Sequence, residues 1–325
     1  MRPICAMLLA ALGWVAATAE AMAQDYPSRP ITVVVPFPAG GPSDTLVRIL
    51  GEQMRGTLGQ PIVIENVAGA SGSIGVGRVA RAAPDGYTLI LGSWVTHVVN
   101  GVVYALKYDV VNDFEPISLI ATNPLLIVAK KAMPAEKLSE LVTWLKANPD
   151  KATQGTTGAG SALHVAGVFF QKETGARLPF VAYRGGALAM QDLVSGQIDM
   201  MIDVAANSLP QVQAGSIKAY AVTDKRRLAA APTIPTVDEA GLPGLYVSIW
   251  FALWAPKGTP KDSVGKLNAA VTGALADPAV RQRLADLGQE IAPREQQTPE
   301  ALGAYHKAEI DRWWPIIKAA NIKAE

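Results

Sequence analysis

Ile31-Thr32-Val33-Val34-Val35-Pro36-Phe37-Pro38-Ala39-Gly40-Gly41-Pro42-Ser43-Asp44 is the stretch whose reading decides the fold. Its first five residues are β-branched and almost continuously apolar, the pattern of a parallel strand covered on both faces. Prolines and glycines then break the strand. Behind them Leu46, Ile49, Leu50 and Met54 recur at helical spacing, with Ser43 or Asp44 placed to cap the helix. Strand, glycine turn and helix make the unit of an α/β sheet whose ligands sit at the strand carboxyl ends.

The unit repeats along the chain. Strand patterns at 61–64 and 87–91 follow, the first leading into Val67-Ala68-Gly69-Ala70-Ser71-Gly72-Ser73. Residues 125–129 begin a second set, with a helix over 135–147 stopped by Asn148-Pro149. Thr156-Thr157-Gly158-Ala159-Gly160-Ser161 then opens a helix carrying Leu163, Ala166 and Phe170. Further strands are expected at 180–183, 198–203, 217–223 and 249–254. Three tail helices start near Thr259-Pro260, Asp277-Pro278 and Thr298-Pro299, each with proline at its first position. The expected fold class is α/β, two doubly wound lobes with the tail helices folded back on the first.

The chain has 325 residues, half of them hydrophobic, and Lys+Arg 29 against Asp+Glu 28 leaves a formal charge of +1. That length suits two domains, and that composition excludes disorder. A nucleic-acid binder needs a basic excess, so no nucleic-acid partner is expected. The one cysteine, Cys5, excludes an internal disulfide and a thiolate metal site, and His97, His164 and His306 stand at no metal-ligand spacing. No metal and no cofactor is expected. Residues 1–23 combine Arg2, a short apolar run and a closing Ala21-Met22-Ala23, the pattern of a secretory signal peptide. The mature chain would start near Gln24 and work in the periplasm, away from cytoplasmic nucleotide pools.

The glycine loops are candidate anion receivers. Glycine lets backbone N–H groups approach a ligand closely, and a helix N-terminus adds partial positive charge. Three such loops occur: 36–44, 67–75 and 156–161. Each could alternatively be a plain tight connection. Asp203 ends an apolar strand, where it could meet a ligand or brace a loop. His164 could be a ligand contact or a structural residue, and Ser93 and His97 flank Trp94 in what could be a packed loop. If Trp94 faces the cleft, it favours an apolar or aromatic ligand body.

Other motifs fail on their context. Gly75-Val76-Gly77-Arg78-Val79-Ala80 fits G-x-G-x-x-A but lies inside a helix pattern with no acidic residue about twenty positions on. Gly69-Ala70-Ser71-Gly72-Ser73 misses the last glycine of a nucleophile elbow. Ser161, His164 and Asp203 could make a hydrolase triad, but Ser161 three residues before His164 reads better as a helix cap.

The ordered set Tyr26-Pro27-Ser28-Arg29-Pro30-Ile31, Pro36 to Asp44 as quoted, Ala83-Pro84-Asp85-Gly86-Tyr87-Thr88-Leu89 and Asp113-Phe114-Glu115-Pro116 carries a family resemblance. It continues through Gly158-Ala159-Gly160-Ser161-Ala162-Leu163-His164, Tyr183-Arg184-Gly185-Gly186, Pro232-Thr233-Ile234-Pro235-Thr236-Val237 and Ala255-Pro256-Lys257-Gly258-Thr259-Pro260. Spanning the mature chain, this closely resembles the Bug family, extracytoplasmic solute receptors of tripartite tricarboxylate transporters. The resemblance implies a type II periplasmic-binding-protein-like fold, its lobes joined by two crossing strands around 123–129 and 249–254. It divides the chain into a signal peptide (1–23), lobe 1 (24–123 plus 250–325) and lobe 2 (124–249). It also implies a carboxylate ligand and membrane permease subunits as partners of a monomeric receptor. The matching site positions are Phe37, Ala39, Gly40, Gly41, Ser43 and Asp44; Ala70 and Ser71; Ser93, Trp94 and His97; Thr156, Thr157, Ser161 and His164; and Asp203. The second loop departs from the family's usual R-P-G-A-G-G by adding bulk at Ala70 and Ser71. Alternatives are a ligand-sensing module docked on a membrane kinase and the periplasmic hydrolase.

Overall fold

A computed structural model describes residues 26–323. The expected signal segment, Cys5 included, lies outside the described residues. The strands are β1 (Ile31–Val35), β2 (Ile62–Asn66), β3 (Thr88–Ser93), β4 (Phe114–Lys130), β5 (Gln154–Thr156), β6 (Phe180–Ala182), β7 (Met200–Val204), β8 (Ile217–Val222), β9 (Ser248–Pro256) and β10 (Glu290–Ile291). The helices are α1 (Pro42–Leu58), α2 (Ser73–Ala80), α3 (Asn100–Val103), α4 (Leu138–Ala147), α5 (Ala162–Thr174), α6 (Gly186–Ser195), α7 (Ala205–Gln213), α8 (Lys261–Ala276), α9 (Pro278–Asp286) and α10 (Pro299–Ala319). Among the described residues no helix is long and apolar enough to cross a membrane.

β1 pairs in parallel with β2 and β3, and its side chains alternate between two cores. Ile31, Val33 and Val35 pack with Leu46, Ile49 and Leu50 of α1 and Leu267 and Val271 of α8. Val34 faces the other way, with Val76 and Val79 of α2 and Ile90 of β3. Both faces are therefore dry, which is why the strand reads as an uninterrupted apolar run.

The sheet runs in the order β2-β1-β3-β9-β4-β7-β5-β6, with β10 and β8 also on β4. β4 is the axis of the molecule. Its residues 114–124 pair with β9, whereas residues 125–130 pair with β7 and β8. The strand pattern marked only 125–129; Pro116 and Pro124 are residues that ordinarily interrupt a central strand. Register shifts at Pro116/Ser118 and Leu119/Ala121 accommodate the extra residues and keep the strand extended. β5 was not expected either: its Gly155 carries no side chain to read, and a Cβ there would stand 2.5 Å from Ile198 Cδ1.

Two caps differ from expectation. Gly41, not Ser43 or Asp44, is the α1 N-cap, with Pro42 inside the helix. Pro260 is the N-cap of α8 instead of its first residue, while Pro278 and Pro299 do open their helices.

Where the chain passes between the two halves of the sheet, fully buried Thr223 ties the passes together. Its hydroxyl accepts from the Leu125 N–H at 3.0 Å and donates to the Val247 carbonyl at 2.6 Å. The halves also share a core. Trp313 of α10 lies edge-on between Trp94, at 5.0 Å, and Phe169 of α5, at 5.2 Å.

Candidate functional site

The 36–44 loop is held open by a side chain that sequence reading assigned to the ligand. Asp44 is 3% exposed. Its carboxylate accepts from the Gly40 N–H at 2.9 Å, from Arg48 Nε and a terminal guanidinium nitrogen at 2.9 and 3.0 Å, and from Asn66 Nδ2 at 3.1 Å. Asn66 also donates to the Phe37 carbonyl. The Arg48 hydrogen bond, helped by those from Gly40 and Asn66, outweighs burial and brings the Asp44 pKa down to about 2. Asp44 thus shapes the turn, while Ala39 and Gly40 are exposed and Phe37 and Gly41 half-buried. The α1 end keeps its Ser43 and Asp44 N–H groups outside the helical ladder, which begins with Thr45 donating to the Gly41 carbonyl.

The 67–75 loop packs on the first. A Cβ on Gly72 would stand 2.8 Å from Thr96 Cγ2, and one on Gly75 2.8 Å from the Val67 carbonyl oxygen. Only hydrogens fit there, so α2 abuts the backbone leaving β1. Ala70 and Ser71 are exposed. The segment after β3 forms the floor. Ser93 and Thr96 bond each other, their backbone and side-chain groups exchanging hydrogen bonds. Trp94 is fully buried against Trp313, so it does not face a cleft, and the aromatic-ligand argument built on it does not apply.

His97 is equally buried, stacked on Trp254 and edge-on to His306. Burial lowers its pKa well below the usual imidazole value, as it also lowers that of His306, whose Nε2 donates to the His97 carbonyl. Both rings are neutral core groups, and a Cβ on Gly92 would reach within 2.5 Å of the His97 ring.

In the other half of the sheet Ser161 caps α5, its hydroxyl accepting from the His164 N–H at 3.2 Å. His164 is half-buried and burial keeps it neutral. Its Nδ1 accepts from the Gly160 N–H at 3.2 Å, which leaves the ring proton on Nε2 as a donor. The N–H groups of Ala162 and Leu163 have no partner among the described residues. Thr156 is buried behind the turn, and Thr157 is partly exposed. Gly160 lies so close to α3 that a Cβ on it would be 2.9 Å from Val103 Cγ1. The loop of one half therefore faces the α3 end of the other.

Asp203 is 1% exposed and accepts from Asn207 Nδ2 at 2.6 Å and the Ser208 hydroxyl at 2.9 Å. No hydrogen bond connects it with His164 or Ser161, and the Ser161 hydroxyl meets a backbone N–H, not the imidazole. Burial outweighs those hydrogen bonds and pushes the Asp203 pKa up to about 6. The folded state thus binds this proton more tightly than the unfolded chain, so the group's contribution falls as pH rises from about 4 to 6. An amide oxygen can accept the same two bonds. Asp203→Asn is expected to raise urea-unfolding stability at pH 8 by on the order of 1–3 kcal/mol, and to leave it unchanged at pH 4. Equal effects at both pH values would contradict the assignment.

Asn66, Asn100, Tyr104, Asn207 and Ser208 join the site without having been singled out from the sequence. Only Arg48, four residues after Asp44 on one helix face, left a readable signal. A cavity of about 420 Å³ beside the crossing is lined by Thr223, Tyr246, Ser248, Tyr305, Glu309 and Arg312 among others, and by none of the expected site residues.

A sheet carried between two α/β units on one long strand, with a glycine turn and a helix N-terminus in each unit, is the construction of a two-lobed solute receptor. Residues 46–322 match the family model described as tripartite tricarboxylate transporter family receptor, TctC, and the chain belongs to that family. It is 41% identical over 319 residues to the UPF0065 protein in the TAR-I ttuE-ttuC' intergenic region of Agrobacterium vitis, covering 97% of this chain and 91% of that one. It is 34% identical to protein BugT of Bordetella pertussis, covering 97% and 98%. Among solved structures it is similar to MatC from Rhodopseudomonas palustris with bound malate, at 40% identity and TM-score 0.78, covering 90% of this chain and 100% of that one. R. palustris Rpa4515 with adipate gives 34% identity and TM-score 0.80, covering 92% and 99%.

Proposed function

We propose that this chain is an exported, monomeric receptor that captures an organic acid between two lobes and presents it to the permease subunits of a tripartite transporter. Residues 1–23 serve as the export signal to the periplasm, residues 24–123 with 250–325 form lobe 1, and residues 124–249 form lobe 2. Function is lobe closure, not catalysis. The observation that carries this reading is the pair of helix ends: α1 and α5 keep first-turn N–H groups free of the helical ladder at glycine turns. Such ends bind carboxylates without a basic surface, in keeping with a net charge of +1. One carboxylate is taken by the loop carrying Phe37, Ala39, Gly40, Gly41 and Ser43. The distal end is taken by Thr157, Ser161, the Ala162 and Leu163 N–H groups and His164 Nε2. The malate and adipate held by the two R. palustris relatives support this class of ligand.

A thermal-shift series with mono-, di- and tricarboxylates and aromatic acids tests the reading. A true ligand at 100 times its Kd adds about 2.7 kcal/mol to the stability of the folded state. Stabilisation by phosphates or amines, with every carboxylate inert, would overturn it.

A further inference from the structure

Resting on the carboxylate-receptor reading, we propose that Tyr104, paired with Ser71, selects acids that carry a second carboxylate. The second loop is a run of left-handed backbone: φ is 131° at Gly69, 44° at Ala70, 50° at Ser71 and 88° at Gly72. Alanine and serine adopt such angles only where their surroundings hold them there. Two side chains beyond β3 do so. Fully buried Asn100 donates Nδ2 to the Ser71 carbonyl at 2.9 Å, and the Tyr104 phenol lies 2.9 Å from the Ser71 hydroxyl.

This arrangement does more than pin the loop. Two hydroxyls own two protons, and the bond between them uses one. The other O–H is free to donate, and the pair is exposed. Its position is set by the residue before it. Val103 meets Gly160 of the facing turn so closely that a Cβ on that glycine would lie 2.9 Å away. Val103 thus stands against the turn that precedes the α5 N-terminus, and Tyr104 is the next residue along the chain. A distal carboxylate taken by the Ala162 and Leu163 N–H groups from lobe 2 would accept from Tyr104 or Ser71 of lobe 1.

Such a group ties the lobes together through charge-assisted bonds. A methyl in its place leaves a hydroxyl and two helix N–H groups without partners when the lobes close, the situation in which polar sites discriminate most strongly. The selection then acts through closure, and an acid with one carboxylate leaves the distal half of the gap unfilled.

Calorimetric titration of the full mature chain with succinate against butyrate, and adipate against hexanoate, tests this. In the double variant Tyr104→Phe with Ser71→Gly, which removes both hydroxyls, diacid affinity is expected to fall roughly 10–100-fold while monoacid affinity falls far less. Glycine suits the positive φ of residue 71 better, so the Ser71→Gly half of the change does not cost folding, and each single variant, which keeps one free O–H, should retain part of the preference. Full diacid preference retained in the double variant, or equal weakening of diacid and monoacid, overturns the proposal. A wild-type protein that binds neither acid of either pair overturns the carboxylate reading beneath it and the proposal with it, a result distinct from the first two.

Discussion

Trp313→Ala is expected to lower unfolding stability by about 3–5 kcal/mol, as large aromatic truncations in a packed core do. Trp313 is 1% exposed, and both halves of the molecule close around it. Trp94 touches it from the segment after β3 and Phe169 from α5. Arg312 lies over the Trp313 ring at 4.8 Å and over Phe169 at 5.6 Å, while donating to the Tyr246 carbonyl at 2.8 Å. Removing the indole leaves a void that no single half-sheet can collapse into without pulling away from the other. Besides the lower midpoint in urea, the transition should therefore broaden, because the two halves no longer unfold as one unit. Trp314→Ala is the comparison: that ring is half-buried and donates to the Val98 carbonyl, so its loss should cost less and leave the slope intact. A Trp313→Ala protein within 1 kcal/mol of wild type, with an unchanged slope, would show that the shared core does not couple the halves.

The same residue marks where sequence reading reaches its limit. Trp313 sits on the buried face of α10 as a core residue. What it packs against could not be read, because Trp94 and Phe169 lie 219 and 144 positions upstream and their meeting is a property of the closed topology. Trp94 and His97 follow the same logic. Beside a candidate ligand loop they look like ligand groups, yet Trp313 of α10 packs on Trp94, and Trp254 of β9 and His306 of α10 pack on His97. Local features were more legible. Ile31 to Val35 declares a doubly covered strand by composition alone, and Ser161 three residues before His164 declares a cap whose bond the structure contains. The first part of β4 was hidden because Pro116 and Pro124 are local breakers overridden by pairing with β9.

Asp44→Ala should weaken carboxylate binding roughly 10–100-fold and cost about 2–3 kcal/mol of stability, although Asp44 gives its oxygens to protein partners. A carboxylate within the proposed anion loop would repel the ligand if it stood alone. Here Arg48 supplies the opposing charge, and Gly40 and Asn66 occupy remaining lone pairs. The turn is consequently built on an ionised aspartate whose field is largely neutralised. Truncation frees the Gly40 N–H, unlatches Asn66 and leaves Arg48 as an unpaired cation near the loop. If bare positive charge governed binding, that change would strengthen it; if the set of the glycine turn governs, it weakens it, so the sign of the effect decides between the two. The pH dependence follows the lowered pKa. The stabilising contribution of Asp44 is present above the unfolded value near 4 and is lost only as pH falls through about 2. Wild-type affinity should accordingly show no titration from this group between pH 5 and 8. Tighter binding by Asp44→Ala at neutral pH, measured by calorimetry, would sink the view that the loop recognises anions by backbone geometry instead of net charge.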